Sequence, residues 1–579
     1  MSFRWILQEP EEADAVSPFA TSINVSPTLA RLLVLRNVST FDKAKLFFRP
    51  DLSQLHDPFL MKDMDKAAKR LKSAINSGEC VVVYGDYDVD GTTATSMMYL
   101  FLLEFGCKAH YYIPHRFKEG YGISEDGIEF AKNIGATLIV SVDCGITAIE
   151  EAIQIREAGM ELIVCDHHTA GDELPQAYAV LDPKRKDCTY PFDGLSGAGV
   201  GFKLMQATLL ILGVSESRPD VVFKHLDLLA ISTASDIVPV VGENRIFMHE
   251  GLKMLNSNPR AGIKALLDLI NLPPGTLTTN KIVFSIGPRI NAAGRLGDAR
   301  TAVELLIATD ENQAKISALE LEAINLKRRT IDTDTMNTAV AILTDQCNLE
   351  EESSLVLHHA DWHLGVIGIV ASRLVDKYYR PTIMLSTVDG LAKGSARSIR
   401  GFNIYDALKE CDDLLIQFGG HEYAAGLTLP EDKIDDFRLR FNAIVNKKLG
   451  EKEFEPELLI DSEIQLEEIT PKFWTILRQF EPFGPLNPKP NFIAKGVKAV
   501  GNPTIVGNGH LKLKLKQNDG QEFDAIGFNM HDYLPLVRES KENPIDIAFT
   551  IEENTWNKVT SLQLRIKDVH PSKIIVPQD

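Results

Sequence analysis

The chain has 579 residues, of which 44% are hydrophobic and 24% charged, and its formal net charge is −19. This length predicts roughly three to five domains, and the absence of an uninterrupted apolar run of about 18 residues excludes a conventional membrane-spanning helix. The excess of acidic residues argues against a uniformly basic nucleic-acid-binding protein, but it leaves room for a local basic groove.

The N-terminal sequence and the cysteines indicate the compartment. The first residues lack a basic segment followed by an apolar one, so no secretory signal is expected. The seven cysteines are an odd number and form no CxxC pair. This usage favours reduced thiols over a disulfide framework or a zinc ribbon, and we therefore expect a cytoplasmic protein.

The first half of the chain is predicted to contain an α/β domain between two helical regions. Residues 1–75 have the pattern of an N-terminal helical segment. Residues 76–240 alternate apolar runs of strand length with helical patterns, which predicts a parallel sheet. Residues 241–345 are predicted to be helical, and Glu311–Thr344 contains neither proline nor glycine. That stretch predicts one long helix connecting two lobes.

The second half is predicted to contain a smaller α/β domain and a β-barrel. Residues 346–450 again alternate strand and helix patterns. Residues 455–575 consist of short strand patterns with turn signals, and His510–Lys516 reads HLKLKLK, with three lysines on one face. Asn518-Asp519-Gly520 supplies a hairpin turn after it. The expected fold class is therefore α/β, with a parallel-sheet domain joined by a long helix to a smaller α/β domain, plus a C-terminal OB-like barrel.

Acidic clusters follow three of the predicted parallel strands. GDYDVDG occupies residues 85–91, Asp143 follows Leu138–Val142, and Asp166-His167-His168 follows Leu162–Cys165. Ligands collect at the carboxyl ends of such strands, so these side chains should converge. Aspartate oxygens with imidazole nitrogen suit manganese, magnesium or zinc. The pattern therefore predicts a two-metal site for phosphoryl chemistry.

The acidic segments are also compatible with other structures. An EF-hand is excluded because the twelfth position counted from Asp86 is Met97 rather than glutamate, and a strand precedes the motif. GDYDVDG alone is also compatible with a turn of solvated aspartates. Asp236, in ASDIVP, either caps the following turn or adds a carboxylate to the metal cluster.

Three glycine-containing basic segments are candidates for phosphate contacts. Arg116 lies in PHRFKEGYG, in the same predicted lobe as the metal cluster. Residues 394–398 (GSARS) and 419–421 (GGH) are expected to form polar loops of the second lobe. Small residues allow backbone N–H groups to approach an anion, and Arg397 could bind it with its guanidinium fork. Together the segments predict a cleft that closes over a phosphorylated polymer.

As a set, these motifs resemble the DHH phosphoesterase superfamily. GDYDVDG, VDCGI, DHH and ASDIVP match its catalytic motifs, and GSARS, FGGHEYAAG and ADWHLGVIGIVASRL resemble its DHH-associated domain. PHRFKEGYG, GPRINAAGRL and EPFGPLNPKP are similar to the RecJ family within it, over roughly residues 20–570. This resemblance implies a metal-dependent exonuclease that degrades single-stranded DNA 5′→3′ to mononucleotides, in DNA repair and recombination.

The resemblance also implies a role for each candidate residue. Two manganese or magnesium ions would be held by Asp86, Asp88, Asp90, Asp143, His167 and Asp236, with Asp143 shared between them. His168 would contact the scissile phosphate and Asp166 would orient a histidine. The 5′-terminal phosphate or the adjacent backbone would be contacted by Arg116, Arg289, Ser395 and Arg397. Gly420 and His421 of the GGH segment are further candidates for phosphate binding. Many relatives carry a histidine ligand where this chain has Tyr84, so Asp86 is expected to replace it.

Two alternatives differ in substrate or in class. A DHH-family hydrolase of oligonucleotides or small molecules would keep the metal site, but such relatives are shorter and usually lack the barrel. A non-catalytic single-strand-binding scaffold would have lost metal ligands that are all present here. The expected partners are single-stranded DNA with a 5′ end, a single-strand-binding protein and a helicase. No membrane is expected, and the chain is expected to be a monomer.

Overall fold

The computed structural model describes residues 3–346, 352–450, 454–556 and 559–572. In chain order the strands are β1 (Arg4–Leu7), β2 (Cys80–Gly85), β3 (Lys108–Tyr112), β4 (Leu138–Val142), β5 (Glu161–Cys165), β6 (Ala179–Leu181), β7 (Leu355–His358), β8 (Thr382–Val388), β9 (Leu391–Arg397), β10 (Gln417–His421), β11 (Ala424–Pro430), β12 (Glu457–Ile460), β13 (Ser462–Glu463), β14 (Phe492–Val506), β15 (His510–Gln517), β16 (Glu522–Gly527), β17 (Ile545–Trp556) and β18 (Val559–Pro571).

The helices alternate with the strands in the first half of the chain, and a 36-residue helix lies near its middle. In chain order they are α1 (Val16–Ile23), α2 (Pro27–Val34), α3 (Phe41–Phe48), α4 (Met64–Ser77), α5 (Val89–Glu104), α6 (Glu125–Asn133), α7 (Ile149–Glu157), α8 (Gly197–Leu212), α9 (Asp220–Phe223), α10 (Leu226–Ser235), α11 (Gly242–Ser257), α12 (Ala261–Leu269), α13 (Thr279–Lys281), α14 (Gly287–Leu296), α15 (Arg300–Ile307), α16 (Glu311–Gln346), α17 (Leu364–Tyr378), α18 (Ile404–Lys409), α19 (Ile434–Lys448), α20 (Pro471–Leu477) and α21 (Leu534–Glu539). The chain divides into two compact units, one formed by residues 52–454 and the other by residues 1–51 with 455–579.

The first lobe of the larger unit is built on a parallel sheet in the order β3-β2-β4-β5-β6. Alternate residues of β2 enter two different cores, because successive side chains of a strand point to opposite faces. Val81 and Val83 pack with α4, α5 and α8, and Val82 and Tyr84 pack with α6 and α7. Burial on both faces explains why these strands are continuously apolar.

The predicted connector is the 36-residue helix α16. Its N-terminal part buries Ala314, Ala318 and Leu321 in the core of the first lobe. Its C-terminal part buries Ala339 and Leu343 in the core beside β7 and α17. The second lobe is a mixed sheet in the order β10-β11-β9-β8-β7, in which only the β7–β8 pair is parallel. The helix therefore joins two α/β lobes of the same unit.

The smaller unit contains the predicted barrel. Strands β14, β15, β16, β18 and β17 pair in that order, and a β14–β17 pairing closes the ring. In β15 the leucines are buried and Lys512 and Lys514 are exposed, as the period of two predicts. Helices α1–α3 contribute Phe19, Leu33 and Phe47 to the barrel's hydrophobic core, and β1 pairs with β12. The sequence stretch 1–75 is thus divided, since α4 belongs to the larger unit.

The remaining whole-chain expectations concern membranes and thiols. Within the described ranges, no helix is both long and apolar enough to cross a membrane. The six described cysteines are free thiols, and Cys347 lies outside the described residues. The architecture of two α/β lobes and a barrel is the fold class that the sequence predicts.

Candidate metal centre and substrate cleft

The turn from β2 into α5 carries three of the candidate ligands. Asp86 follows the strand, and Asp88 caps the helix by accepting a 3.0 Å hydrogen bond from the Gly91 N–H. Asp90 lies in the first helical turn. A Cβ at Gly91 would lie 2.5 Å from the Asp86 carbonyl oxygen, so only glycine allows the chain to turn this tightly. The turn fixes three closely spaced carboxylates at the end of β2.

Asp143 follows β4 in a left-handed backbone conformation, with φ 62°. Asparagine and aspartate tolerate this region better than other non-glycine residues. The N-terminus of α8 packs directly on it, since a Cβ at Gly197 would lie 2.5 Å from the Asp143 Cβ. The backbone therefore holds the Asp143 carboxylate at the sheet edge in one orientation.

At the end of β5, Asp166 organises the two histidines. It accepts hydrogen bonds from the backbone N–H groups of Ile146 (2.9 Å) and His167 (2.7 Å), and His168 Nδ1 lies 2.8 Å from it. Burial opposes ionisation of Asp166, but the bonds from His168 and Ile146 outweigh it and lower its pKa. The same carboxylate raises the pKa of His168 against the effect of burial. Asp166 thus stays ionised and favours a charged His168.

The candidate ligands from the three strands and from the end of α10 converge. His167 Nε2 lies 3.3 Å from Asp143 Oδ1, 3.5 Å from Asp236 Oδ2 and 3.8 Å from Asp90 Oδ2. The groups with ligand atoms within 4.8 Å of one another are Asp86–Asp88–Asp143, Asp143–His167–His168 and Asp90–His167–Asp236. Asp143 and His167 each belong to two groups, and Asp143 is the residue that is predicted to be shared between two cations.

The donor set fits divalent cations. Buried ligand atoms have no hydrogen-bond partner among the described residues at Asp86 Oδ1, Asp143 Oδ1, Asp236 Oδ2 and both ring nitrogens of His167. Burial, and then the neighbouring Asp90 and Asp88 carboxylates, raise the pKa of Asp236 to about 9. Burial also lowers the pKa of His167. Without a cation the acids retain protons, so bound metal would both complete their coordination and displace those protons.

Tyr84 occupies the position at which the resemblance implies a histidine ligand in many relatives. It is fully buried, and its hydroxyl contacts Ser124 Oγ at 3.1 Å and the Gly122 carbonyl at 3.2 Å. The side chain therefore fixes the 122–124 loop and is absent from the three groups of potential ligands. Asp86 is in one of those groups, which supports its predicted role as the substitute.

Several residues that orient the ligands were not predicted. Asp90 accepts hydrogen bonds from Gly197 N–H (2.6 Å), Ala198 N–H (2.9 Å) and Ser232 Oγ (2.6 Å). Such outer contacts orient ligating carboxylates. The Asn291 side chain accepts the Val89 N–H at 3.1 Å, which ties α14 to the metal loop. The glycine-rich GLSGAG at 194–199 was the available sequence signal for this helix N-terminus.

Tyr121 is a further unpredicted residue at the centre. Its hydroxyl lies 3.2 Å from both the Asp143 carbonyl oxygen and His168 Nδ1. The side chain is nevertheless 50% exposed. Tyr121 thus presents an aromatic surface to solvent directly beside the candidate catalytic histidine.

A cleft of about 490 Å³ lies between the two lobes of the larger unit. Its wall contains four of the predicted phosphate-binding residues, Arg116, Ser395, Arg397 and Gly420. It also contains Arg295 and Lys393, which were not predicted, and the N-terminal residues Leu364 and Gly365 of α17. Arginine side chains and a helix N-terminus are both suited to an anion.

The glycine-rich segments of the second lobe are strands, contrary to the expectation of loops. Ser395 and Arg397 belong to β9, and Gly420 belongs to β10. Glycines and alanines of the paired strands β9, β10 and β11 line one side of the cleft. Beside them, Arg397 Nη1 lies 2.8 Å from Ser395 Oγ. A Cβ at Gly368 on α17 would lie 2.8 Å from both side chains. Close packing around Arg397 therefore requires a glycine at position 368 of α17, whereas a Cβ at Gly419 of β10 would meet nothing within 4 Å.

The two arginines of GPRINAAGRL have different surroundings. Arg289 donates to Glu322 at 3.1 Å and to the Ser285 carbonyl at 2.6 Å, and it is not among the cleft-lining residues. Arg295 lines the cleft and donates to the Gly365 carbonyl at 3.2 Å. Burial, and then the nearby Arg116, lower the pKa of Arg295 to about 10, which indicates uncompensated positive charge. The predicted His421 is exposed at the end of β10 and outside the cleft lining.

Comparisons with known proteins agree with this description. Three family models match: "DHH family, N-terminal domain" over residues 80–233, "DHHA1 domain" over 351–447 and "RecJ OB domain" over 460–568. The single-stranded-DNA-specific exonuclease RecJ of Bacillus subtilis is 39% identical over 578 residues, covering 98% of this chain and 71% of the relative.

Solved structures give the same result. Thermus thermophilus RecJ in complex with Mn²⁺ matches with a TM-score of 0.83 and 27% identity, covering 98% of this chain and 80% of that one. The same protein in complex with Mg²⁺ matches with a TM-score of 0.77 and 26% identity, over 98% and 79%. The resemblance inferred from the motifs and the predicted fold class are both confirmed.

Proposed function

This chain belongs to the RecJ family, and we propose that it removes nucleotides one at a time from the 5′ end of single-stranded DNA. It is a metal-dependent phosphodiesterase of single-stranded DNA that uses manganese or magnesium, with a general role in DNA repair and recombination. The alternative of a small-molecule or oligonucleotide hydrolase is not favoured, because the RecJ match extends through the barrel.

One observation carries the proposal of an end-specific nuclease: an arginine-lined cleft belongs to the same two-lobed unit as the acidic cluster. Neither feature alone specifies a DNA end. An acidic cluster without nearby cations would repel a polyanion, and arginines without the cluster would bind it without cutting. A terminal phosphate in the cleft with a phosphodiester at the cluster accounts for both.

We propose that Asp86, Asp88, Asp90, Asp143, His167 and Asp236 hold two divalent ions. Such a pair, when bound, activates a water and stabilises the attacking and leaving oxygens of a phosphoryl displacement. His168, whose pKa is raised by Asp166 against the effect of burial, would donate to a non-bridging oxygen of the scissile phosphate. Asp166 fixes the orientation of that ring through its 2.8 Å contact with Nδ1.

The cleft is proposed to bind the 5′ end. Arg116, Arg295 and Arg397 supply charge, and burial and then Arg116 lower the pKa of Arg397. A terminal phosphate carries more negative charge than an internal one and therefore gains more from this cluster. Ser395 adds a hydroxyl donor beside Arg397. Cleavage would then occur at the phosphodiester one nucleotide from the bound 5′ end.

The barrel is proposed to hold single-stranded DNA through an aromatic and cationic surface. Lys514 of β15 has acidic neighbours, since its Nζ lies 3.9 Å from Glu522 and 4.0 Å from Asp524 on β16. On the same barrel, Phe528 is 44% exposed, and the Arg565 guanidinium lies 4.8 Å from its ring centroid. Base stacking on such a ring is sequence-tolerant. Arg565 is itself paired with Glu552 at 3.5 Å, so it is the exposed ring of Phe528 that makes this pair a better candidate contact than the lysine stripe.

Other expectations are kept as proposals. We propose that the enzyme acts as a monomer in the cytoplasm. A helicase is proposed as a partner because it produces the single strands that such an exonuclease degrades. A single-strand-binding protein is proposed because it binds those same strands.

Digestion of end-labelled oligonucleotides tests the polarity. A 5′-labelled single strand should release labelled mononucleotide at the earliest times without a ladder. The same strand labelled at its 3′ end should give a ladder that shortens with time. The reverse pattern, or internal fragments from both strands, would contradict the proposed direction.

A further inference from the structure

The loop after β6 is a fourth strand end at the metal centre. Cys165 of β5 is paired with Leu181 of β6, and the Asp166 N–H donates to the Leu181 carbonyl at 2.9 Å. The residues after Leu181, which read Asp182-Pro183-Lys184-Arg185, therefore leave the sheet beside the DHH motif. This segment contributed no residue to the predicted site.

The loop is held rigidly on both sides of Lys184. Asp182 is fully buried and accepts the Lys184 N–H at 2.7 Å. Arg185, also buried, donates to Asp63 at 2.9 Å and to Asp187 through two further 2.9 Å bonds. A surface loop without a function rarely needs a buried carboxylate and a buried arginine to fix it. The anchors leave Lys184 itself projecting from the loop, and the residue is exposed.

The strand pairing places Lys184 near the metal-centre residues. Lys184 lies three residues after Leu181, whose pairing partner Cys165 directly precedes Asp166 and His167. His167 belongs to two of the three groups of potential metal ligands. Among the described residues, this loop forms ion pairs through Arg185 and Asp187, and the Lys184 ammonium group takes part in none of them. The lysine is therefore an uncommitted cation near a site at which a polyanion must be cut.

We propose that Lys184 binds a phosphodiester of the DNA strand beside the metal centre, on the β6 side, and so positions the backbone for cleavage. The inference rests on the proposed function. It assigns Lys184 to the continuous strand and not to its terminal phosphate, because the arginines that suit the terminal phosphate line the cleft between the lobes. A lysine suits this contact, since an ammonium binds a phosphate as a point charge without requiring a fixed geometry.

The test compares Lys184→Gln, Lys184→Arg and Lys186→Gln on single-stranded DNA at saturating manganese. Lys186 is a matched control because it is an exposed lysine of the same loop. Lys184→Gln should raise KM about tenfold, as expected for one charge-assisted contact, with a smaller change in kcat. It should also reduce the slope of log KM against log salt by about 0.7, the value for one phosphate contact on a single strand. Lys184→Arg should keep KM and the salt slope close to their wild-type values. Lys186→Gln should leave KM and the salt slope unchanged.

Further measurements separate this role from the other possible ones. The increase in KM should be equal for 5′-phosphate and 5′-hydroxyl strands, and the manganese-induced rise in Tm should persist in Lys184→Gln. An unchanged KM and salt slope, or equal effects of Lys184→Gln and Lys186→Gln, would overturn the proposal. So would a change confined to manganese affinity. If the wild-type protein itself fails to digest single strands, the proposed function fails instead, and that result is distinguishable in the same assay.

Discussion

Replacing Asp143 by asparagine tests whether one carboxylate serves both metal positions. Asparagine is the appropriate variant because residue 143 has φ 62°, and asparagine accepts this conformation. Alanine would add a backbone cost of about 1–2 kcal/mol. The substitution removes one charged oxygen donor with little change in volume, so a change in activity can be assigned to metal binding.

The expected magnitude follows from the grouping of ligands. Asp143 belongs to two of the three groups of potential ligands, and Asp236 belongs to one. Even the loss of a residue that only hydrogen-bonds to a metal ligand lowers metal affinity or activity by about 10–100-fold. Losing a donor at two positions should therefore lower kcat/KM by about 10²–10⁴-fold, and Asp236→Asn should lower it less. A 100-fold weaker metal affinity would remove about 2.7 kcal/mol of metal-induced stabilisation at saturating metal.

The assay measures digestion of a 5′-phosphorylated single strand and thermal unfolding with manganese or with chelator. Asp172→Asn is the control, because Asp172 is an exposed acid of the same lobe. In chelator, Asp143→Asn should unfold at a higher temperature than the wild type, because burial and the neighbouring Asp90 carboxylate raise the pKa of Asp143. Near-normal kcat/KM in manganese, or an unchanged metal-induced shift in Tm, would refute the shared-ligand assignment.

Three further predictions address the cleft, the barrel and the metal-free protein. Arg397→Ala should reduce the kcat/KM ratio between 5′-phosphate and 5′-hydroxyl strands, and Arg397→Lys should restore it only in part, since lysine lacks the fork; an unchanged ratio would exclude Arg397 from end binding. Phe528→Ala should weaken single-strand binding by about 1–3 kcal/mol in fluorescence anisotropy, whereas Lys514→Gln should have little effect; the opposite ranking would restore the lysine stripe as the contact. Burial raises the pKa of Asp236 to about 9, so the folded, metal-free protein holds its proton more tightly than the unfolded chain does. This difference stabilises the fold fully below the ordinary carboxyl pKa, and the stabilisation is lost as pH rises through about 9. Urea unfolding in chelator should therefore show that wild type loses stability relative to Asp236→Asn over this range, and parallel pH profiles would contradict the shift.

The convergence of the candidate ligands could be predicted from sequence, because their positions depend on local order and on one topological rule. Each acidic segment directly follows an apolar strand, and parallel strands present their carboxyl ends at the same sheet edge. The structure places Asp86, Asp143 and His167 there through β2, β4 and β5. The residues that orient them, such as Ser232 and Asn291, approach from distant helices, and no local pattern indicates their contacts.

The parts that could not be predicted depend on long-range packing. Arg289 and Arg295 lie in one motif, but they are six residues apart on a helix, so their side chains leave the helix axis about 120° apart. Only the packing of α14 decides which of the two lines the cleft. The period-two pattern predicts that Lys514 is exposed, but its acidic neighbours come from the adjacent strand. Likewise, the apolar faces of α1–α3 do not indicate that they cover a barrel formed more than 400 residues later.

The most direct test of the account is the digestion of matched single-stranded and duplex DNA by metal-depleted protein before and after manganese is added. Without metal, neither substrate should be degraded. Manganese should restore digestion of the single strand from its 5′ end in the wild type and not in Asp143→Asn, while a blunt duplex remains intact. Undiminished digestion in excess chelator, or equal rates on single strand and duplex, would contradict a metal-dependent exonuclease specific for single strands.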